Sequence, residues 1–262
     1  MKHLISGIIA TFVVAVFPPA SATATKSENE KSVEEQVGPA LQTLAASGDA
    51  DAQYRLGMLY GYGKYVPQNN RLALEWLQKS VDQGYAEAQF TFGLVYGGGL
   101  WGVKEDSAAA ARWFRLAADQ GHAAAQLNLG YIYFFGRGVP QDRTAAAFWY
   151  SKSADQGNVE AQVKVGMVYS SGDGVPQNYA LAARYLRQAA DRGNVDGMTG
   201  LAWHYQLGYG VPKDNVQSLM WFILAAAKGD QTAVQQRNRM SSLMLPKDVD
   251  DAQNLALQWR PN

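Results

Sequence analysis

The sequence predicts an all-α fold in which pairs of helices stack side by side as a solenoid. The first observation is a period. Glycines stand 36 or 37 residues apart at Gly48, Gly84, Gly121, Gly157, Gly193 and Gly229. A fixed period of this length is typical of repeat proteins, in which each unit buries its apolar face only against its neighbours. The second observation is that apolar and small residues recur at helical spacing within each unit.

The first helix of each unit has three recurring positions, four residues apart. An alanine comes first, then a large apolar residue, then a tyrosine, as in Ala125, Leu129 and Tyr133. Spacing of four places all three on one face of a helix. In four units a glycine such as Gly130 follows the middle position. This glycine indicates that another helix passes too close for a side chain.

A turn and a second helix complete each unit. The turn Gly-x-Gly-Val-Pro, as in 136–140, ends the first helix because glycine permits positive φ and proline stops the helix. Two residues later comes a predicted N-cap, which is Asn69, Asp106, Asp142, Asn178 or Asp214. The second helix carries one aromatic ring per unit at Trp76, Trp113, Trp149, Tyr185 and Trp221. We interpret this column as core packing, with ligand stacking as the alternative.

These motifs resemble the Sel-1-like repeat family, short relatives of the tetratricopeptide repeat. The combined pattern is Ala-x-x-x-Leu-Gly-x-x-Tyr, Gly-x-Gly-Val-Pro-x-Asp, and Ala-x-x-Trp-x-x-x-Ala-Ala-x-x-Gly, and it recurs in five units from Gly48 to Lys228. The resemblance implies antiparallel helix pairs stacked into a right-handed superhelix. It also implies a role in holding other proteins, often in the bacterial envelope.

The N-terminus predicts export. Lys2 and His3 precede an apolar run at 4–17, and small residues follow, with cleavage expected after Ala22 or Ala24. The run is shorter than the roughly 20 residues that span a bilayer, so we expect a periplasmic or secreted protein. We assign a signal peptide at 1–24, a polar linker at 25–38, an N-terminal capping helix at 39–47, repeats at 48–83, 84–120, 121–156, 157–192 and 193–228, and a degenerate C-terminal capping repeat at 229–262.

The composition argues against several classes of function. Lys and Arg total 23 and Asp and Glu total 23, without a basic block, which argues against nucleic acid. There is no cysteine, and the two histidines of the repeats, His122 and His204, lack metal-ligand spacing. We therefore predict no enzyme activity, no catalytic residue, no metal and no cofactor. The acidic residues Asp51, Glu87, Glu160 and Asp196 are interpreted as first-turn charges that complement the helix dipole, with acid–base catalysis as the alternative.

The predicted function is an exported scaffold that binds a partner protein or peptide in a concave groove lined by first helices. In related solenoids the first helices line this side, and the position ten residues after each glycine points away from the Ala, Leu and Tyr face. Trp101, in a lengthened glycine-rich loop, is a further candidate. The predicted partner-binding residues are Arg55, Met58, Tyr62, Leu94, Trp101, Asn128, Tyr131, Phe135, Lys164, Met167, Trp203 and Leu207.

Three alternatives stay open at this stage. The apolar residues of the predicted groove could instead pack between successive repeats, and Trp101 could fold back onto its own loop. The chain could be a cell-wall enzyme, since some cysteine-rich relatives in the family have been linked to β-lactamase or penicillin-binding activity. This sequence, however, lacks their paired cysteines and a Ser-x-x-Lys motif. It could also be an adaptor that binds carbohydrate or peptidoglycan, with a cell-wall glycan as partner.

Overall fold

The structure, a computed structural model, describes residues 39–64 and 66–261. These residues form thirteen α-helices and no β-strand, which confirms the predicted all-α class. The predicted signal peptide and linker lie outside the described residues. The helices are α1 at 39–46, α2 Ala50–Tyr62, α3 Asn70–Asp82, α4 Ala86–Gly98, α5 Ser107–Asp119, α6 Ala123–Phe135, α7 Arg143–Asp155, α8 Val159–Ser171, α9 Tyr179–Asp191, α10 Val195–Leu207, α11 Asn215–Ala227, α12 Gln231–Leu243 and α13 Pro246–Gln258.

The helix ends follow the sequence signals. The predicted second-helix caps are confirmed, since the side chains of Asn69, Asp106, Asp142, Asn178 and Asp214 each accept a hydrogen bond from a first-turn backbone N–H. First helices end on glycines in the left-handed region, as at Gly136 with φ 68°. Their N-caps are the residues directly after the repeat glycine, as at Asn158, whose side chain accepts from Ala161 N at 2.9 Å. The acidic residues two positions after these N-caps lie in the first turn of the helix, as predicted.

The glycines inside first helices mark close contacts between the two helices of a hairpin, as predicted. A Cβ atom built on Gly130 would lie 2.5 Å from Cδ1 of Tyr150. At Gly166 the nearest atom would be Cγ of Leu186 at 2.6 Å, and at Gly57 it would be Cγ of Leu77 at 2.8 Å. Real Cβ atoms do not approach other heavy atoms so closely. Each of these glycines therefore lets a large side chain of the second helix pack on the first-helix backbone.

The chain forms two compact units, the first ending at Trp113 and the second beginning at Phe114. In the first unit α2 packs on α3, and α3 packs on α4. In the second unit α6 with α7, α8 with α9, and α10 with α11 form hairpins. The contacts of α7 with α8, α9 with α10, and α11 with α12 join successive hairpins, and α13 packs on α11. Consecutive helix pairs thus pack on each other within a unit, as a solenoid requires.

The recurring aromatic column of the second helices belongs to the core. Trp149, Tyr185 and Trp221 are buried. Trp221 lies in a cluster with Met198, Leu201 and Phe222, and its ring meets Trp259 of the C-terminal segment edge-on at a centroid distance of 6.1 Å. Core packing, and not an open ligand-stacking surface, is the role these three rings have.

Candidate partner-binding surface

The predicted residues of the first unit are mostly engaged in contacts within that unit. Arg55 projects from α2, with its Nε atom 2.6 Å from the carboxylate of Asp51. Tyr85 of the next repeat donates its hydroxyl to the same carboxylate at 2.8 Å. Burial would raise the pKa of Asp51, but the hydrogen bonds from Arg55 and Tyr85 outweigh it and lower that pKa. Met58 and Leu94 are half-buried.

Trp101 folds onto the preceding repeat and does not project into solvent. Its backbone has a φ of 54°, an uncommon value for a residue other than glycine. The indole lies against Gly61, where an added Cβ would be 2.4 Å from Cζ2, and it meets the ring of Tyr62 edge-on at a centroid distance of 5.7 Å. The sequence predicts Trp101 either as a partner contact or as a ring folded onto its own loop. The structure shows a third arrangement, in which the ring packs on α2.

In the second unit Tyr131 joins two repeats. Its hydroxyl donates to Oε1 of Glu160 at 2.6 Å, which ties α6 to α8. Its ring meets Tyr150 of α7 edge-on at a centroid distance of 5.5 Å. Burial, and then the hydrogen bond to Glu160, raise the pKa of Tyr131. The Nζ atom of Lys164 lies 5.3 Å from the centre of the same ring. For Tyr131 the alternative of packing between repeats describes the structure.

Phe135, by contrast, is held in place and exposed. It is the last residue of α6 and is 54% exposed. Its ring stacks on Tyr131 at an interplanar angle of 7° and a centroid distance of 6.3 Å, and Phe134 meets it edge-on at 5.0 Å. The guanidinium carbon of Arg137 lies 5.4 Å from the ring centre. An exposed aromatic ring supported on two sides and flanked by a cation is typical of a contact anchor.

The remaining predicted residues divide between surface and packing. Met167 and Leu207 are each about half exposed, on α8 and at the end of α10. Trp203 packs against the core and meets Phe222 edge-on at a centroid distance of 5.4 Å. Asn128 donates its side-chain amide to the carbonyl of Ala124 within α6. Trp203 and Asn128 therefore serve mainly their own repeats.

Sequence reasoning missed Phe134 and the cations beside it. The guanidinium carbon of Arg143 lies 4.0 Å from the centre of the Phe134 ring, and Arg143 also forms an ion pair with Asp173 of the next repeat. A signal was available in the sequence. The position of Phe134 holds Gly61, Gly97, Ser170 or Gln206 in the other repeats. The large ring is thus a departure from the repeat, at a position that the search for groove residues did not include.

Two further findings concern metal binding and membrane crossing. Within residues 39–64 and 66–261, no group of three or more His, Cys, Asp or Glu side chains is arranged to hold a metal ion. No helix in the same part of the chain is long and apolar enough to cross a membrane.

Comparison with known proteins identifies the family. A profile for the Sel1 repeat matches five consecutive segments of the chain, at residues 50–85, 86–122, 123–158, 159–194 and 195–230. The chain belongs to the Sel1 repeat family. The matched segments begin two residues after the glycines from which the repeats were counted above. None of the curated proteins compared with the chain matches it.

Two solved Sel1-type structures are similar to this one. A protective antigen of uropathogenic Escherichia coli strains displaying an SLR fold has 36% sequence identity and a TM-score of 0.77, over 85% of this chain and 48% of that chain. A Sel1 repeat protein from Oxalobacter formigenes has 29% identity and a TM-score of 0.75, over 88% of this chain and 98% of that chain. This Sel1 repeat protein thus spans about half the length of the E. coli antigen.

Proposed function

We propose that this Sel1 repeat protein is an exported scaffold that binds a partner protein or peptide through a surface centred on Phe135. Sel1 repeats are typically scaffold modules, which supports a role in protein interaction. The signal-like pattern at 1–24 supports export. The twelve residues predicted from sequence contribute unequally. The contact surface lies in the second unit and consists of Phe135, Lys164, Met167 and Leu207. Tyr131 supports it by stacking on the ring of Phe135.

Phe135 is the observation that carries this proposal. Aromatic side chains supply a large contact area for few rotatable bonds, and they are enriched among the residues that dominate protein interfaces. The contacts of Phe135 with Tyr131 and Phe134 restrict its ring in advance of binding. A restricted ring loses little conformational freedom when it is covered, so its burial contributes more of its free energy to affinity.

The charges next to Phe135 indicate the chemistry of the partner. Arg137 is exposed beside the ring, and the ammonium group of Lys164 lies over the supporting Tyr131. Arg143 is already paired with Asp173. Two cations next to an exposed apolar ring favour a partner segment that places an apolar side chain on Phe135 and a carboxylate beside it.

The experiment that tests this function is site-specific photocrosslinking in the native host. A photoreactive phenylalanine analogue is placed at position 135 of the full-length chain, and in a second strain at Phe148. Phe148 is a suitable control because it is 51% exposed in the same repeat but lies on the second helix. We expect a discrete adduct with a protein from position 135 and none from position 148. An adduct pattern that is the same at both positions would contradict the proposal.

The affinity of the crosslinked partner is then measured with Phe135→Ala and Phe148→Ala. Loss of a central aromatic anchor costs about 2 kcal/mol or more, which corresponds to a Kd roughly 30-fold weaker. We expect that loss for Phe135→Ala, and an unchanged Kd for Phe148→Ala. Equal affinity of wild type and Phe135→Ala would exclude this surface.

Two further measurements test the other parts of the proposal. If purified cell-wall glycan binds and no protein does, the function is that of a carbohydrate adaptor. The intact mass of the native protein tests export, because cleavage removes the residues up to Ala22 or Ala24.

A further inference from the structure

The first helices of the second unit end at one position of the repeat, and the residues there are mostly apolar. Each lies 36 residues after the one before, and they are Phe135 at the end of α6, Ser171 of α8, Leu207 of α10 and Leu243 of α12. We call these four residues the terminal row. Phe135 and Leu207 are about half exposed, and Leu243 is 76% exposed. The exposed apolar character of Phe135 thus recurs in the fifth repeat and in the C-terminal capping repeat.

A second row lies two residues further along the chain. Its members are Arg137, Asp173, Tyr209 and Leu245. In the last two repeats both rows are apolar and exposed, with the side chains of Leu207, Tyr209, Leu243 and Leu245. Met244 packs against the core, so the leucines on either side of it are left on the surface. Neighbouring exposed apolar side chains of this kind mark interaction surfaces.

The exposed leucine of α12 is not a general property of that helix. Elsewhere on its outer face α12 exposes polar side chains, those of Gln235, Asn238, Arg239 and Ser242. A terminal repeat needs such a polar face for solubility. The apolar residue is confined to the helix end, in register with Leu207 and Phe135. This register indicates a contact that runs along the terminal row.

The spacing of the row defines the shape of a partner that covers it. Hydrogen bonds join each first helix to the start or body of the next, namely those of Tyr131 with Glu160, Ser170 with His204, and Thr199 with Asp230. Packed helices lie about 8–10 Å apart. In an α-helix, residues seven apart lie on one face and are separated by about 10 Å along the axis. One step of the row therefore matches seven residues of a helix laid across the repeats.

An α-helix suits this row better than an extended segment. The backbone of an extended segment needs hydrogen-bond partners on the surface that it covers, whereas a helix satisfies its backbone internally. The side chains of Leu207, Leu243 and Leu245 contain no polar atom. In a β-strand, moreover, about 10 Å corresponds to three residues, and residues three apart point to opposite faces. An amphipathic helix binds through apolar side chains on one face, including those seven apart.

We propose that the partner segment bound at Phe135 is an amphipathic helix of about 20 residues that lies along the terminal row. Its apolar side chains at seven-residue spacing contact Phe135, Leu207 and Leu243, and a carboxylate lies beside Arg137. Ser171 is small and leaves room at the second step, where Met167 lies one turn earlier on α8. This inference rests on the function proposed above, and it adds the secondary structure, the length and the register of the partner.

The test extends the photocrosslinking at position 135 of the full-length chain to positions 243 and 257. Leu257 is the matched control, because it is 73% exposed in the same repeat but lies on α13, outside the row. We expect the protein crosslinked from position 135 to be crosslinked from position 243 and not from position 257. An adduct from position 135 with none from position 243, or with a second copy of this chain from position 243, would overturn this inference alone. Absence of an adduct from position 135 would overturn the proposed function as well.

Mass spectrometry of the two adducts measures the register. A helix along three steps of the row predicts crosslinked residues about 21 apart in the partner sequence, whereas an extended segment predicts about 9. A separation near the smaller value would overturn the helical assignment. It would leave the surface around Phe135 as the binding site.

A synthetic peptide that spans the two crosslinked residues then gives the affinity. Leu243→Ser introduces the residue that α8 has at this position, so the fold and the urea midpoint should be retained. We expect the Kd of the full chain for the peptide to weaken about ten-fold, because an exposed leucine loses its contact. Leu257→Ser should leave the Kd unchanged. Equal Kd values for Leu243→Ser and the wild type would contradict the proposal.

Discussion

At the scale of single residues, the glycines inside the first helices determine how closely two helices approach. Glycine destabilises a helix interior by about 1 kcal/mol relative to alanine. It is tolerated at Gly130 because the ring of Tyr150 occupies the space that a Cβ would need. The glycine lowers the intrinsic helix stability at this position, and in return the ring of Tyr150 packs directly on the helix backbone.

Gly130→Ala should therefore destabilise the protein, although alanine is the better helix former. Overpacking costs about 1–3 kcal/mol, which exceeds the gain in helix propensity of about 1 kcal/mol. Gly97→Ala is the matched control, because an added Cβ there would lie 3.5 Å from Ala110 Cβ, an ordinary contact. We expect urea unfolding to shift to lower midpoint for Gly130→Ala, and to be unchanged or shift slightly upward for Gly97→Ala. A Gly130→Ala midpoint at or above that of the wild type would contradict this view of the packing.

His204 is a second residue with a special role. It is buried where the other repeats carry Leu59, Val95, Ile132 or Val168. Its Nδ1 lies 2.7 Å from the carbonyl oxygen of Tyr209, which only accepts, so Nδ1 carries the proton and donates. In the neutral ring Nε2 then accepts from the hydroxyl of Ser170 at 2.9 Å. Burial lowers the pKa of His204, and the hydrogen bond to Tyr209 offsets this only in part.

The lowered pKa predicts the pH dependence of stability. The unfolded chain takes up the proton first, at the ordinary histidine pKa of about 6.5, so the folded state loses stability as pH falls from there through its own lower pKa. We expect the urea midpoint of the wild type to fall between pH 7.5 and pH 5.5. His204→Leu should show a smaller fall over the same interval, because the contributions of other groups are common to both proteins. Equal falls would show that His204 does not contribute.

At the scale of helices, neighbouring repeats are joined by hydrogen bonds between their first helices as well as by apolar packing. Tyr131 on α6 donates to Glu160 on α8, Ser170 on α8 meets His204 on α10, and Thr199 on α10 donates to Asp230 at 2.6 Å. These bonds involve residues that differ between repeats. The apolar framework is the same in every repeat, and these hydrogen bonds add to it a contact that is specific to each pair of neighbouring repeats.

Tyr131→Phe isolates one of these links, because it removes the hydroxyl and keeps the ring. A hydrogen bond to a charged group contributes about 1.5–3 kcal/mol, and we expect a loss of stability in that range in urea unfolding. Capture of the partner should persist, since the support for Phe135 is retained. Tyr209→Phe is the control, because the described residues include no hydrogen-bond partner for the Tyr209 hydroxyl. Equal stability of the two variants would show that the link to Glu160 adds nothing.

The elements were predictable from sequence where the signal is local. The columns of alanine, leucine and tyrosine gave the first helices, and the Asn or Asp after each turn gave the second-helix caps. The position of Trp101 was not predictable, because it depends on Gly61, forty residues earlier in the chain, accepting the indole against its backbone. The binding role of the candidate surface stays a prediction. Of the residues predicted from helical position, Phe135 is exposed in the structure, whereas Tyr131 and Trp203 share that face and yet pack inward.

At the scale of the whole molecule, each hairpin depends on its neighbours. In the second unit α7 contacts α8 and α9 contacts α10, so the second helix of each of these repeats packs on the first helix of the next. A single repeat would expose that surface to water, and isolated helices of 13 residues are marginal on their own. The free energy of unfolding of such an array is approximately the sum of the intrinsic stability of each repeat and the interaction energies between neighbouring repeats. The proposed function depends on this coupling between repeats. Tyr131 and Phe134 support the ring of Phe135 within its own repeat, and the hydrogen bond from Tyr131 to Glu160 attaches that repeat to the next.

The most direct test of this dependence is the circular dichroism of a synthetic peptide covering residues 121–156, compared with the full chain in the same buffer. We predict a largely disordered spectrum with no cooperative melting transition for the peptide, and a strongly helical spectrum with a cooperative transition for the full chain. A peptide with the helicity expected for α6 and α7 and a cooperative transition of its own would contradict the account.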